Sequence, residues 1–341
     1  MDITVLMGGT SPERDVSLAS GLRIAEALRS LGHAVTTVDT VFGTLSEEEQ
    51  LAMRESGVMR ALPPDLGALT RLASETLSAT VRRLPSRGAA DVVFIGLHGG
   101  HGEDGTIQAL LDLSGLPYTG SGHKASALAM DKDLSKRLFR DAGVHTPDWL
   151  MTPATNDEVV TTLGLPVIVK PSKQGSTVGL TLVRNASQIR TAIAEAGQFD
   201  DEVMIERYIP GRELTVGILG GDVLPVGEVI PKHEVYDYEC KYTVGMAREV
   251  FPANITPEQA ANVRDQALRA FRALKLSGYA RIDFRMATDG RFYCLEANTL
   301  PGMTELSLVP QAAAAAGLSF PELCARIVRL ALPPQVLGEM Q

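Results

Sequence analysis

The chain has 341 residues, of which 45% are hydrophobic and 21% are charged, and its formal net charge at pH 7 is −9. That length predicts two or three domains, because one hydrophobic core rarely serves so many residues. The negative charge disfavours a general nucleic-acid partner, although a local basic site for a nucleotide is compatible with it.

The first part of the chain alternates predicted strands with predicted helices. The predicted order is strand 3–7, helix 17–31, strand 34–38, strand 91–97 and helix 106–113. This βαβ order is typical of an open, mostly parallel sheet. The segment between the second and third strands, residues 43–87, is charged and rich in turn residues. We expect it to be helical in places and assign it no function.

The pattern changes around residues 118–124, where we place a domain boundary. The elements predicted after it are a helix at 131–142 and strands at 167–170, 180–183, 203–208 and 213–219. A Gly/Ser/Lys-rich loop, PSKQGSTVG, joins the first two of these strands. Thr256 and Gln259 form a capping box that starts another helix. The second half therefore mixes hairpins with helices, which is typical of an α+β arrangement.

Reduced thiols are expected, because the three cysteines are scattered without metal-type spacing. Cys294 and Cys324 are interpreted as small core residues. The first residues, MDITVLMGG, lack the pattern of a signal peptide, and no apolar stretch is long enough to span a bilayer. These features predict a cytoplasmic protein without a membrane partner.

Residues 279–303 form a predicted hairpin with an unusual row of polar side chains. If Asp289 and Gly290 are a two-residue loop, Asp283 lies opposite Glu296 and Arg281 lies opposite Asn298. Side chains alternate along a strand, so these four share one face. The other face is predicted to place apolar side chains against a core, namely Ile282, Phe284, Tyr293 and Leu295.

Two opposed carboxylates repel each other, so a positive charge is expected between Asp283 and Glu296. Oxygen ligands from Asp, Glu and Asn suit a magnesium ion. A solvated outer face, with Arg281 pairing Asp283 or Glu296, explains the same residues. The hairpin alone leaves both interpretations open.

The segment GHGEDG, residues 100–105, matches the glycine pattern of dinucleotide-binding loops. A nicotinamide oxidoreductase is nevertheless disfavoured, because residues 113–130 lack the acidic residue that such sites need. A helix N-terminus beside His98 can still bind an anion or carboxylate. His98 is equally compatible with a packed loop histidine.

Several lysines stand where phosphate groups would bind. Lys132 begins a predicted helix and Lys170 ends a predicted strand, while residues 173–176 form a candidate lid. Singly, each lysine is also compatible with an exposed side chain. The irregular segment 231–245 has the polar and aromatic composition of a functional loop, with Lys241 in reach of a substrate. Glu13 either heads a helix or holds an amine.

These segments together resemble the D-alanine–D-alanine ligase family of the ATP-grasp superfamily. The matching stretches occur in the family's order and cover nearly the whole chain: GGTSPERDVS, LHGGHGEDGTIQ, YTGSG, MDK, VIVKPSKQGSTVG, IERYIPGRELTVGIL, YDYECKY, ARIDF and LEANTLPGMTELSLVP. The resemblance implies an N-terminal open parallel α/β domain (1–124) followed by a two-subdomain ATP-grasp fold. Its central subdomain with the lid would be 125–208, and its C-terminal subdomain with the metal and substrate site would be 209–341.

The resemblance also implies a reaction. ATP phosphorylates the carboxylate of one D-alanine, and the amine of a second D-alanine attacks the acyl phosphate. Loss of phosphate gives the dipeptide used for peptidoglycan. Two Mg²⁺ ions, replaceable by Mn²⁺, would assist, and relatives are commonly homodimers.

Residue roles follow from the matched motifs by resemblance. Asp283, Glu296 and Asn298 would hold the magnesium ions, while Arg281 and the Gly302 amide would stabilise the oxyanion. The ATP contacts would come from Lys132, Lys170, Glu206, Arg207, Tyr208, Ile209, Glu213 and Lys241. The amino-acid substrates would contact Glu13, His98, Ser307 and Leu308. The lid would close through a Tyr242 bond to Glu13 and Ser176.

Two features bear on specificity within the resembling family. Gln174 stands where the lid usually carries Glu. Tyr242 favours a dipeptide ligase over a D-alanine–D-lactate ligase, because ester-forming relatives tend to have Phe there. A D-alanine–D-serine ligase and a non-catalytic ATP-grasp nucleotide-binding protein are further alternatives. The second is disfavoured because Arg281, Asp283 and the other metal-site residues are all present.

Overall fold

A computed structural model describes residues 1–56, 88, 90–243 and 245–332, without the side chains of Ser56, Tyr238 and Tyr242. Most of the predicted variable segment, 57–87, lies outside the described residues. The predicted bond from Tyr242 to Glu13 and Ser176 also lies outside them, because it depends on an undescribed side chain.

The N-terminal part is a parallel sheet with helices, as the βαβ pattern predicts. Its strands are β1 (Asp2–Met7), β2 (Ala34–Asp39), β3 (Gly43–Thr44) and β4 (Val92–Ile95). Their order is β3-β2-β1-β4, with β1 parallel to both β2 and β4. The helices of this part are α1 (Arg14–Ser30), α2 (Glu47–Ser56) and α3 (Thr106–Ser114).

The middle of the chain forms an antiparallel sheet. It is preceded by the helices α4 (His123–Met130) and α5 (Lys132–Asp141). Its strands are β5 (Trp149–Met151), β6 (Val167–Pro171), β7 (Thr181–Val183) and β8 (Val203–Arg207), in the order β5-β8-β6-β7. The helices α6 (Asn156–Leu163) and α7 (Ile189–Ala196) carry Val159, Leu163, Ile189 and Ala192 into its core.

The last part contains a six-stranded antiparallel sheet. Its strands are β9 (Gly211–Leu219), β10 (Asp222–Val223), β11 (Gly227–Pro231), β12 (Ala247–Val250), β13 (Tyr279–Ala287) and β14 (Phe292–Asn298). The order is β12-β11-β9-β13-β14, with β10 paired to β9. Its helices are α8 (Tyr238–Tyr242), α9 (Pro257–Ala273), α10 (Leu308–Ala315) and α11 (Phe320–Ala331). The predicted capping box at Thr256 and Gln259 is confirmed.

The chain crosses between its parts more than once. Ala125, Ala129 and Phe139 of α4 and α5 pack in the core of the six-stranded sheet. Leu323 and Ile327 of α11 pack in the core of the N-terminal sheet. The mixed α/β and α+β class is confirmed, while the division at residues 124 and 208 stays a prediction.

The loop of the β13–β14 hairpin is one residue longer than predicted. Ala287 pairs with Arg291, which leaves a three-residue loop instead of two residues. A β-bulge next to Leu295 then restores the pairing of Asp283 with Glu296. The extra loop residue shifts the strand register by one residue and the bulge shifts it back, so the polar row has the predicted register.

The bulge changes which apolar residues face the core. Phe292 and Cys294 are buried with Phe284, whereas Tyr293 and Leu295 are only partly buried. The expectation that Tyr293 and Leu295 face the core is therefore wrong. One extra residue before the bulge moves every side chain of β14 to the opposite face there.

Candidate active site

Two adjoining pockets lie where the three sheets meet. The larger encloses about 820 Å³ of space, part of which is open to solvent. It is lined by residues of the middle and last parts of the chain. Every residue predicted to bind ATP is among them: Lys132, Lys170, Glu206, Arg207, Tyr208, Ile209, Glu213 and Lys241.

One end of the larger pocket carries a buried charge network. Lys170 Nζ lies 3.0 Å from Glu206 Oε1, and Lys136 Nζ lies 2.5 Å from Glu206 Oε2. Burial opposes ionisation of Glu206, but Lys136 and Lys170 together lower the pKa of this carboxyl. Burial lowers the pKa of Lys136 to about 8 despite the nearby Glu206. The Glu206 carboxylate is therefore fixed by two cations before any ligand binds.

Sequence reasoning missed Lys136. It lies one helical turn after Lys132 on α5, and both side chains face inward. The spacing of Leu134 and Leu138 places both on one face of this helix, which would suggest a buried face. Leu134 is nevertheless exposed. A lysine spacing of i and i+4 was the available signal. It is ambiguous without knowledge of the buried partner, Glu206.

The larger pocket also places a carboxylate beside an arginine. Arg285 Nη1 lies 3.3 Å from Glu213 Oε2, and Arg285 Nη2 donates to the Tyr208 hydroxyl at 3.3 Å. Burial raises the pKa of Glu213 to about 6, although Arg285 and Lys241 oppose that rise. A carboxylate that accepts hydrogen bonds here suits sugar hydroxyls.

The polar row of the hairpin lies between the two pockets and is largely buried. Arg281 donates to Asp283 from Nε and Nη2, with distances of 2.9–3.1 Å. Thr215 and Asn298 also donate to Asp283, at 2.8 Å and 2.9 Å. The side chains of Arg281 and Asp283 are only 15% and 14% exposed, so a solvated outer face is excluded. The Arg281–Asp283 pair expected in that alternative is nevertheless present.

Glu296 remains strongly acidic although it is enclosed. Burial raises its pKa, but Lys132, Lys241, Lys170 and Arg281 outweigh that effect and hold the pKa at about 2. Lys132 Nζ lies 3.3 Å from Glu296 Oε2. Arg281 and Lys132 thus supply the positive charge that the opposed carboxylates require. The oxygen donors of Asp283, Glu296 and Asn298 fit a hard divalent cation chemically.

The smaller pocket brings together the predicted substrate residues. It is lined by loops and helix starts from the first and last parts of the chain. These residues include Glu13, His98, Ser176, Arg281, Gly302, Ser307 and Leu308. Gly175, Tyr236 and Lys241 line both pockets, so the two sites adjoin at these three residues.

The lid segment, residues 172–180, is closed over both pockets. Ser176 donates a hydrogen bond to Glu13, and Lys132 donates to the Gln174 carbonyl at 2.6 Å. Thr177 donates to the Tyr236 carbonyl at 2.9 Å, which ties the lid to the 231–243 loop. Gln174 contributes its backbone to these contacts, and its side chain donates to Phe199 O at 3.1 Å.

Sequence reasoning also missed Glu103 and Tyr236, which line the smaller pocket. Burial, together with the nearby Glu13, raises the pKa of Glu103 to about 8. Glu103 accepts a hydrogen bond from the Gly99 amide at 3.0 Å. Glu103 is one of the two acidic residues of the GHGEDG segment, whose glycines were interpreted as a possible dinucleotide motif.

Comparison with known proteins agrees with this geometry. Models of the D-ala D-ala ligase N-terminus and C-terminus match residues 2–121 and 138–329. The chain is 42% identical to a D-alanine–D-alanine ligase from Synechococcus sp. (strain JA-3-3Ab), over 97% of this chain and 94% of that protein.

Solved structures share the whole architecture. A D-alanine–D-alanine ligase from Bacillus anthracis complexed with ATP matches with a TM-score of 0.75 and 30% identity, over 100% of both chains. The VanG D-Ala:D-Ser ligase from Enterococcus faecalis matches with a TM-score of 0.78 and 28% identity, over 97% of this chain and 99% of that one.

The architecture and the paired pockets therefore define an ATP-grasp ligase, and the predicted fold class is confirmed. Within that class, the chain belongs to the D-alanine–D-alanine ligase family. Among the residues that the structure describes, no helix is long and apolar enough to cross a membrane.

Proposed function

We propose that the chain uses ATP to join two D-alanine molecules into D-alanyl-D-alanine, a precursor for peptidoglycan. The observation that carries this proposal is the pair of adjoining pockets, which share Lys241 and meet at the Asp283 polar row. A carboxylate is a poor electrophile, and transfer of a phosphoryl group gives it a good leaving group. Such a reaction needs a nucleotide site and an amino-acid site in direct contact.

The larger pocket is the proposed ATP site. Its sugar end would use Glu213, whose carboxylate is held by Arg285, and its phosphate end would use Lys132, Lys170 and Lys241. Cations around a phosphoryl group stabilise the charge of the transition state. A solved relative that contains ATP supports nucleotide use by this family.

Asp283, Glu296 and Asn298 are the proposed magnesium ligands. Glu296, with its pKa of about 2, is ionised at neutral pH, lines the larger pocket and pairs across the hairpin with Asp283. Bound Mg²⁺, or Mn²⁺ in its place, would neutralise phosphate charge. Arg281 then has less need to neutralise Asp283 and can contribute its guanidinium to the smaller pocket, which it already lines.

The smaller pocket is the proposed site for both amino acids. The Glu13 carboxylate would bind the ammonium of the first D-alanine, with His98 near its carboxylate. Ser307 and Leu308 would hold the second D-alanine. The Gly302 amide and Arg281 would stabilise the oxyanion that forms when the second amine attacks. Tyr242 would add a closing contact to Glu13 and Ser176.

The test is a competition between second substrates at neutral pH. Purified protein is given Mg²⁺, ATP and D-alanine, with D-serine or D-lactate present in equal amount, and the products are identified by mass spectrometry. D-Alanyl-D-alanine should dominate. Preferred incorporation of D-lactate or D-serine would assign the chain to a ligase of different specificity.

We also propose that the protein acts as a cytoplasmic homodimer. Relatives that the chain resembles are commonly dimers. Light scattering of the purified protein measures the molar mass directly, and a mass of one chain at micromolar concentration would contradict this part of the proposal.

A further inference from the structure

A buried hydrogen-bond chain connects helix α1 to the turn that carries Gly302. Ser20 is fully buried, and its Oγ accepts from the Met303 amide at 3.1 Å. The same Oγ lies 3.0 Å from His98 Nε2, while His98 Nδ1 lies 2.9 Å from the Leu300 carbonyl. His98 thus bridges α1 and the 300–303 turn through both ring nitrogens.

Donor and acceptor rules fix the direction of this chain. The Leu300 carbonyl can only accept, so His98 Nδ1 carries a hydrogen. In a neutral imidazole, Nε2 is then an acceptor, so the Ser20 hydroxyl donates to it. This leaves a Ser20 lone pair for the Met303 amide. Every donor and acceptor of this hydrogen-bond chain is satisfied only with this tautomer. Burial lowers the pKa of His98 and so keeps its imidazole neutral.

A second residue of α1 holds the backbone carbonyl of the same residue, Met303. Arg23 Nη1 donates to the Met303 carbonyl at 3.1 Å, and its guanidinium lies 3.7 Å from the Phe320 ring centroid. Ser20 and Arg23 are three residues apart, so they share a helical face. That face also carries Val16, which lines the smaller pocket, and it begins at Glu13.

We propose that Ser20 and Arg23 are positioning residues that set the Gly302 amide relative to the ammonium-binding Glu13. This inference rests on the function proposed above. One rigid helix then fixes the distance between the site for the first amino acid and the oxyanion donor. Misplacement by about 1 Å can cost about 100-fold in rate, so such a clamp affects the chemical step more than ATP binding.

The first test compares Ser20→Ala with Ser17→Ala. Ser17 is a matched control on the same helix: it is fully buried, accepts from the Gly8 amide at 2.9 Å and donates to the Gly96 carbonyl at 2.7 Å. We expect Ser20→Ala to lower kcat about 10- to 100-fold, with the KM for ATP within about twofold of wild type. Ser17→Ala should lose similar thermal stability and keep its kcat.

Equal kcat values in the two variants would overturn the positioning role. If Ser20→Ala does not fold, Arg23→Gln tests the same turn from its carbonyl side and should also lower kcat rather than raise the KM for ATP. A kcat for Arg23→Gln equal to that of wild type would likewise contradict the proposal.

The second test needs neither substrate nor turnover, so it is independent of the proposed function. The chain has six histidines, and nitrogen-15 NMR of the wild-type protein can assign His98 by comparison with His98→Gln. A neutral Nδ1–H tautomer at pH 7 is expected. An Nε2–H tautomer or an imidazolium would contradict the hydrogen-bond chain, whereas absence of dipeptide product from wild type would contradict only the function.

Discussion

At the residue scale, the Asp283 carboxylate is surrounded by protein donors before any ligand is bound. It accepts hydrogen bonds from Thr215, Arg281 and Asn298. Glu296 is on the neighbouring strand, and Lys132 of α5 lies beside it. This arrangement orients both opposed carboxylates, and the surrounding cations keep Glu296 ionised. Such preorganisation is what a site needs if a divalent cation is to bind there without rearranging the hairpin.

Neutralising either carboxylate should therefore remove activity while leaving the fold. We expect Asp283→Asn and Glu296→Gln to lower kcat at least about 100-fold, because metal-assisted charge stabilisation contributes several kcal/mol. Turnover is measured at saturating Mg²⁺, and the fold is checked by circular dichroism. Asp265→Asn serves as the control, because Asp265 is an exposed residue of α9 that pairs with Arg269. Near-normal turnover in either site variant would remove the metal assignment.

Glu103 should make stability depend on pH in a defined direction. Its folded pKa of about 8 lies above the ordinary value of 4.5, because of burial and then Glu13. The folded protein therefore retains a proton that the unfolded chain releases, so stability falls as pH rises from about 4.5 to 8.

Glu103→Gln should remove this loss of stability. The melting temperature of the variant relative to wild type is expected to rise between pH 5 and pH 8 and then to level off. Thermal unfolding in matched buffers at pH 5, 6.5, 8 and 9 measures the difference. A difference that does not change with pH would show that Glu103 is ionised throughout.

At the element scale, the closed lid depends on a few contacts and an unusual backbone. Ser176 and Thr177 have φ angles of 47° and 64°, in the left-handed region that non-glycine residues seldom adopt. Such a conformation persists only when its contacts hold it. Ser176 binds Glu13, and Thr177 binds the Tyr236 carbonyl.

Thr177→Val should loosen the lid, because it keeps the size of the side chain but removes the donor to Tyr236. We expect faster amide hydrogen exchange across residues 172–180 and 231–243, together with a several-fold increase in the KM for ATP. Ser187→Ala, an exposed change outside the lid, should alter neither quantity. Unchanged exchange in Thr177→Val would show that the lid is held elsewhere.

Periodicity and turn signals predicted most individual elements, since these are encoded locally. The helix α9 begins at its capping box and buries Val263, Ala267 and Phe271, as its 3.6-residue period indicated. The loop length of the β13–β14 hairpin could not be predicted as well. Asp289-Gly290 is compatible with loops of two or three residues, and the alternation of residues did not predict the bulge at Leu295.

At the scale of the whole molecule, the site exists only because distant segments pack together. The contact of α11 with the N-terminal sheet and the pairing of Lys136 with Glu206 have no periodic signal in the sequence. They could not be predicted from spacing. The hairpin register alone suggested a metal site at Asp283 and Glu296, but most other roles came from motifs matched to the resembling family, and the mutual contacts required the structure.

Because ATP would contact both the middle and the last part of the chain, it should stabilise the molecule as a whole. At 100 times the dissociation constant, binding adds about 2.7 kcal/mol, which raises the melting temperature by on the order of 4 °C for a chain of this length. Lys170→Met should lose that shift. Lys124→Met, which changes an exposed lysine of α4 that lines neither pocket, should retain it. An equal shift in both variants would place ATP elsewhere.

The most direct test of the proposed activity follows the oxygen atoms of the substrate. Purified protein is given Mg²⁺, ATP and D-alanine that carries oxygen-18 in both carboxylate positions. If the first D-alanine becomes an acyl phosphate and is attacked by the second, each phosphate released carries one oxygen-18 atom, and D-alanyl-D-alanine forms in equal amount. Unlabelled phosphate, or phosphate release that does not require D-alanine, would contradict the account.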